Sequence, residues 1–266
     1  MFFPEFKHPD IAARVSIRNL LTHTSGWPDN REVDKNRVFF LTARDAENWY
    51  PVTQADALVF EPGSRSQYSN PAYNGLALIV EKVSGMKWQR FVRDRIFLPS
   101  GMKTSTITDG EHPTTGVAHG YERVDGAWRE SDYGEVPTFA AAGNGGVWSS
   151  VEELALYERA LRSGTFLSLA AVADSRTIKT FENWVDPEPP AIGWSWFIGP
   201  TKDDLRTVGH TGSQGGFRTG YVVIPDRSIW FAVLTNSPRD TKAMTNWIEQ
   251  WLREANWLDG HTEQPG

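Results

Sequence analysis

Gly209-His210-Thr211-Gly212-Ser213 closes one predicted strand, and Gly215-Gly216-Phe217-Arg218 leads into the next. Around this turn lie four segments rich in β-branched and aromatic residues, at 194–198, 205–210, 218–224 and 228–234. That composition fits a pleated, half-buried surface. Pro225-Asp226 makes a tight turn between the last two segments, which therefore pair antiparallel. Residues 241–257 follow as a helix with Met244, Trp247, Ile248, Trp251 and Leu252 on one face.

Upstream of residue 191 the periodicity is helical. Ser16 precedes Ile17, Leu20 and Leu21 and caps a short helix that ends in Thr22-His23-Thr24-Ser25-Gly26. Thr53, with Asp56 three residues on, predicts a short helix over 53–59. Tyr68-Ser69-Asn70 stands after the turn Glu61-Pro62-Gly63 and directly before a helix over 71–83, which Gly85 ends. A second amphipathic helix is predicted over 87–97, and a hairpin over 120–129 turns at Asp125-Gly126. Ser150-Val151-Glu152-Glu153 opens a helix that runs to Ser163 and stops at Gly164. The expectation is an α+β fold. Residues 1–190 form a mostly helical lobe and 191–266 an antiparallel sheet with a terminal helix, as one compact unit.

Composition removes several classes of function. The chain has 266 residues, 12 Trp, 14 Phe and 7 Tyr, enough ring surface to fill a sizeable core. A net charge of −6 argues against nucleic acid as a partner. No apolar run reaches the length of a membrane span, and Met1-Phe2-Phe3-Pro4-Glu5-Phe6-Lys7 lacks the features of a signal peptide. With no Cys there is no thiolate nucleophile or thiolate metal ligand, and the compartment, periplasmic, secreted or cytoplasmic, stays open. The six His (His8, His23, His112, His119, His210 and His261) show no metal-ligand spacing, so neither metal nor cofactor is expected. Gly143-Asn144-Gly145-Gly146 has no following Gly-Lys-Ser/Thr and reads as a tight turn. Trp27, Trp49 and Tyr50 suit either an acyl pocket or the core.

Taken in order, the motifs resemble the serine β-lactamase-like hydrolases, which include class C β-lactamases, D-Ala-D-Ala carboxypeptidases and esterases of the same fold. The resemblance covers nearly the whole chain. It rests on Phe3-Pro4-Glu5-Phe6 with residues 17–26, on Phe60-Glu61-Pro62-Gly63 with Tyr68-Ser69-Asn70 as a Y-x-N motif, and on Pro99-Ser100-Gly101-Met102, similar to a P-L-G-M turn. Gly209-His210-Thr211-Gly212 matches the K-T-G motif with His in place of Lys. The resemblance implies a β-lactamase/transpeptidase-like fold and a small-molecule or peptide acyl substrate: a β-lactam, a D-Ala-D-Ala peptide or an ester. It implies catalytic roles for Tyr68 and His210, and substrate binding by Asn70, Thr211, Gly212, Ser213 and Arg218. Tyr68 would shuttle a proton, His210 would orient Tyr68 or a substrate carboxylate, and the Ser213 N–H would be one oxyanion donor. Tyr68, Asn70 and His210 are expected to line one cleft.

One departure shapes the functional expectation. The family's nucleophile is the Ser of an S-x-x-K motif upstream of the Thr-His-Thr-Ser-Gly stretch. Only 22 residues precede His23, and none forms S-x-x-K. The two such strings present, Ser84-Gly85-Met86-Lys87 and Ser100-Gly101-Met102-Lys103, read as helix-ending turns. The chain therefore resembles the family without its amino-terminal strands and nucleophile helix: a truncated or fragmentary hydrolase, inactive as it stands. Phe2, Phe3 and Phe6 form an apolar cluster with no preceding partner. The alternatives are a non-catalytic pseudoenzyme that binds a ligand or partner in the remaining groove, and an enzyme using Ser66, Ser69 or Ser213 with His210.

Overall fold

The computed structural model describes residues 3–29, 31, 43–107, 115–130, 142–201, 204–214 and 216–258. Phe2, His112, Gly215 and His261 lie outside them. In chain order the elements begin with α1 (Pro9–Ala12), α2 (Ile17–Leu21), α3 (Asp45–Thr53), α4 (Asn70–Ser84) and α5 (Trp88–Val92). A π turn at Arg93–Phe97 leads to α6 (Leu98–Ser100), β1 (Thr106–Ile107), β2 (Tyr121–Val124) and β3 (Ala127–Glu130). Then come β4 (Val147–Trp148), α7 (Val151–Arg162), α8 (Leu169–Ser175), β5 (Phe197–Pro200), β6 (Arg206–Gln214), β7 (Phe217–Ile224), β8 (Ile229–Thr235) and α9 (Thr241–Glu254).

The chain divides into two compact units, Met1–Val117 with Asp132–Ser195, and Ala118–Ser131 with Trp196–Gly266. The second unit thus holds the β2–β3 hairpin together with the four-stranded sheet.

The first unit is built on aromatic packing. Phe3, Trp27, Trp49, Val52, Ala72 and Ile79 are buried together. Phe3 lies 5.4 Å from Trp49, and Phe6 stacks on Trp27 at 5.2 Å. Phe3 and Phe6 therefore find their partners downstream in the chain. Trp27 and Trp49 belong to the core, whereas Tyr50 is exposed. Gly75 lets α4 approach this core, because a Cβ there would stand 2.8 Å from the Trp49 ring.

Caps set the helix boundaries. Ser16, Ser69 and Ser150 each accept the backbone N–H three residues on, from Asn19, Ala72 and Glu153. Two expectations fail for local reasons. Thr53 ends α3 instead of opening a helix, with its hydroxyl bonded back to the Tyr50 carbonyl at 2.7 Å. The helix expected over 87–97 widens into a π turn at Arg93. Pro99, in the next turn, has no N–H to give the Arg95 carbonyl.

The second unit is a four-stranded antiparallel sheet in the order β5-β6-β7-β8. Alternation divides its side chains between two faces. Val208, Val223, Tyr221 and Trp230 cluster on one. Val222, Ile224, Ile229 and Phe231 pack against Ile248 and Leu252 of α9 on the other. The β2–β3 hairpin is tied on through Tyr121 N–H to the Asn236 carbonyl (2.8 Å) and Asn236 Nδ2 to the His119 carbonyl (2.9 Å).

Candidate active site

In the first unit, Tyr68 and Asn70 flank the cap of α4. Ser69 turns the chain, and Asn70 is the first helical residue. Tyr68 is 52% exposed, and its ring lies 4.4 Å from that of His23. Burial of its inner part raises the Tyr68 phenol above its usual range. At neutral pH it is therefore a protonated donor, not a phenolate.

In the second unit, His210, Thr211, Gly212 and Ser213 are consecutive residues of β6. β5 pairs with β6 only as far as Phe197↔Gly209, while β7 continues alongside to Gln214↔Phe217. Among the described strands of this sheet, residues 211–214 therefore pair with β7 and not with β5. Their other edge offers backbone donors and acceptors to an extended ligand. His210 and Gly212 share one face, and Thr211 and Ser213 the opposite one. Across from Gly212, the Thr219 hydroxyl occupies the space a Cβ would need, 2.6 Å away. Arg218 stands opposite Ser213 and donates to the Phe217 carbonyl at 2.8 Å.

The His210 ring is oriented by its backbone. Nδ1 lies 2.6 Å from the Thr211 carbonyl, which only accepts, so Nδ1 carries a proton and the neutral ring has its lone pair on Nε2. The Phe197 ring lies 5.2 Å away.

The other serines fare poorly as nucleophiles. Ser84 and Ser100 end α4 and α6, and the next residue in each case is a left-handed glycine. This separates each serine from its lysine, where a nucleophilic Ser-x-x-Lys needs one continuous helical turn. Ser69 is buried as a helix cap. Ser213 is three residues from His210 on a regular strand, so their side chains leave opposite faces. Gly143 and its neighbours form the expected turn, as a 3-10 turn over Ala142–Asn144.

The profile of the Beta-lactamase family matches residues 3–255. This chain belongs to the beta-lactamase family. It is 28% identical over 248 residues to a penicillin-binding protein of Bacillus subtilis, covering 86% of this chain and 52% of that protein. It is 27% identical over 239 residues to the D-alanyl-D-alanine-carboxypeptidase/endopeptidase AmpH of Escherichia coli, covering 84% and 59%. The chain thus spans between half and three-fifths of the length of these curated relatives. Among solved structures it resembles a penicillin binding protein from Bacillus halodurans, with a TM-score of 0.74 and 24% identity over 89% of this chain and 72% of that one. It also resembles the D-amino acid amidase of Ochrobactrum anthropi SV3, with a TM-score of 0.75 and 21% identity over 94% and 75%. These structural likenesses establish a β-lactamase/transpeptidase-like α+β fold. Membership places the chain in a β-lactamase-like serine hydrolase family, whose curated members similar to this chain include a D-alanyl-D-alanine carboxypeptidase/endopeptidase. Among the described residues no helix is long and apolar enough to cross a membrane.

What reading the sequence missed is His23. It entered as part of the polar run after α2 and among the six histidines without metal-ligand spacing, yet its ring is buried and lies beside those of Tyr68 and Tyr73. A signal was present: Ser69 caps α4, but the residue three positions on is Ala72, which cannot return a side-chain bond to the Ser69 N–H.

Proposed function

We propose that these residues bind the acyl part of an amide, β-lactam or ester substrate, with a peptide ending in D-alanine as the preferred class. The half-paired end of β6 carries the reading. Residues 211–214, which follow His210 in the H-T-G motif, present a strand edge to which an extended acyl-peptide adds by backbone hydrogen bonds. The name of the Escherichia coli relative supports the D-alanyl class. Asn70 bonds the substrate amide, and Arg218 pairs with its carboxylate. The Ser213 N–H donates to the carbonyl oxygen where negative charge develops during acyl transfer. Tyr68, protonated at neutral pH, donates a hydrogen bond to the leaving-group atom of the bound substrate. His210 Nε2 accepts from a donor on the substrate.

Acyl transfer also needs a nucleophile, and in these 266 residues no Ser-x-x-Lys precedes His23. Losing a single oxyanion donor costs about two to three orders of magnitude elsewhere. Without the nucleophile as well, the 266-residue chain binds substrate but hydrolyses a chromogenic cephalosporin, a p-nitrophenyl ester or a D-alanyl-D-alanine peptide at background rate. The test is titration of an N-acyl-D-alanyl-D-alanine peptide into 15N-labelled protein. The amides of Thr211, Gly212 and Ser213 are expected to shift together. An unchanged spectrum overturns the binding role, and turnover abolished by Ser69→Ala or Ser213→Ala overturns the assignment of these serines as non-nucleophilic.

A further inference from the structure

We propose that His23 is the positioning residue of the Tyr68-Ser69-Asn70 motif, acting through an imidazole whose lone pair sits on Nδ1. The catalytic side of this inference rests on the role given to Tyr68 above; the hydrogen-bond arrangement does not.

His23 grips both sides of Tyr68. Its backbone carbonyl accepts the Gln67 N–H at 2.8 Å, and its ring Nδ1 accepts the Ser69 N–H at 3.1 Å. Gln67 and Ser69 bracket the tyrosine, so one residue anchors the chain both before and after it. The ring itself lies 4.4 Å from the Tyr68 ring and 5.0 Å from the Tyr73 ring, tilted by 37° and 34°. Tyr73 is in turn anchored by its hydroxyl to the Leu21 carbonyl at 2.9 Å. Tyr68 therefore leans on a backed surface.

The Ser69 bond answers a need of the helix. In a capping box the N-cap N–H is satisfied by a Glu or Gln side chain three residues on. Here that position is Ala72, and His23, 46 residues earlier, supplies the acceptor instead. The bond also specifies the chemistry of the ring. A backbone N–H only donates, so Nδ1 is unprotonated, and the neutral ring carries its proton on Nε2.

The backbone of His23 is adapted to this double grip. Its φ is +56°, in the left-handed region that few non-glycine residues adopt. Such conformations persist where surrounding contacts over-determine them, and they cluster at functional sites. Thr22 and Thr24 brace the position through a hydroxyl–hydroxyl bond of 2.9 Å, and the Thr24 carbonyl accepts the Gly63 N–H at 2.8 Å. Both threonines are fully buried. The polar run after α2 is thus a rigid bracket that sets the loop carrying Tyr68.

The test uses the 266-residue chain and no hydrolysis assay, so failure of the functional proposal leaves it readable. In the unmutated protein, NMR is expected to show a lone-pair 15N shift for His23 Nδ1 and a scalar coupling between Nδ1 and the Ser69 amide nitrogen. His23→Phe keeps a ring against Tyr68 but removes the acceptor. Protection of the Ser69 amide from hydrogen exchange should fall about tenfold, the worth of one buried hydrogen bond, and the Tyr68 ring resonances should move. His23→Asn, whose Oδ1 takes the place of Nδ1, should restore both. A structural role alone does not produce rescue by asparagine. Equal Ser69 protection in His23→Phe and the parent overturns the proposal, as does a protonated Nδ1 shift in the parent. If His23→Phe does not fold, the coupling in the parent decides: its presence supports the assignment and its absence overturns it.

Discussion

Asp45 Oδ1 accepts the backbone N–H of Gly143 at 2.8 Å, across 98 residues of chain. The same oxygen accepts Asn74 Nδ2 at 2.7 Å. One buried carboxylate thus joins the start of α3, the middle of α4 and the glycine turn. Gly143 fits there because a Cβ would stand 2.6 Å from the Tyr73 carbonyl oxygen. The turn is thereby tied to the helix whose first residues carry the Y-x-N motif.

Removing this acceptor strands two donors. Asp45→Ala is expected to cost about 3 kcal/mol, because each buried group left unsatisfied costs about 1–3 kcal/mol. Asp45→Asn keeps an oxygen in place for both donors and is expected to cost about 1 kcal/mol, the difference between a charged and a neutral acceptor. Urea unfolding of the two variants checks the order. Equal losses would mean that charge, not the shared oxygen, carries the contact.

Much of the second unit was legible because its signals are local. The strand alternation between 205 and 234, the Pro225-Asp226 turn and the Asp125-Gly126 hairpin each depend on a few adjacent residues. Both hairpin residues adopt positive φ, +50° and +80°. The serine caps were legible for the same reason. α3 was not, since it is short and holds Pro51 inside. Nor was the Asp45–Gly143 tie or the His23–Ser69 bond. These join segments whose neighbourhood only the folded chain creates, and a buried acceptor has no local sequence signature. The Tyr68-Ser69-Asn70 and His210-Thr211-Gly212 strings could be read from their order along the chain, whereas the contact between His23 and Ser69 could not.

Glu153 gives the acid limb of stability a defined contributor. It is buried, and desolvation pushes its pKa up, but hydrogen bonds from Ser105 and Thr104 outweigh this and hold it below the usual carboxylate range. The Thr104 N–H donates at 2.8 Å and the Ser105 N–H at 2.6 Å. A carboxylate with a depressed folded pKa stabilises above its unfolded value, near ~4.3, and that stability is lost as pH falls through the folded value. Glu153→Gln should lose about 2 kcal/mol at neutral pH, the scale of charge-assisted bonds. It should also show a shallower fall in stability below about pH 4.3 than the parent. Parallel acid profiles would assign the loss to packing instead.

Arg176 and Glu158 form a buried two-bond pair, at 3.1 Å and 2.6 Å, joining α7 to the end of α8. Arg162 adds a third bond to Glu158 at 2.8 Å. Arg176→Met leaves the buried carboxylate with less compensation and should cost about 3–5 kcal/mol. Glu158→Met combined with Arg176→Met should recover most of that loss, because replacing both members of a buried pair is often neutral. Thermal unfolding of the single and double variants measures the difference. A double variant no more stable than the single would mean that the pair contributes net stability beyond mutual compensation.

Tyr73 governs part of the alkaline limb. Burial pushes its phenol well above the usual range, more than a hydrogen bond with Ser195 brings it down. Tyr157 is raised by burial as well, so the effect has more than one source. In the unfolded chain a phenol titrates near ~10. A group with a raised folded pKa contributes fully below that value. Its contribution is lost as pH climbs toward the folded pKa, because the unfolded state ionises first. Tyr73→Phe removes this term along with the bond to the Leu21 carbonyl. At about pH 8 the variant should be less stable by about 1 kcal/mol, the net worth of one hydrogen bond. Above about pH 10 its stability should fall less steeply than the parent's, so the two profiles converge. Urea unfolding at a series of alkaline pH values reads the slope directly. Profiles that stay parallel above that point would mean that Tyr73 ionises like an exposed tyrosine, and the backing surface behind His23 would then be open to water.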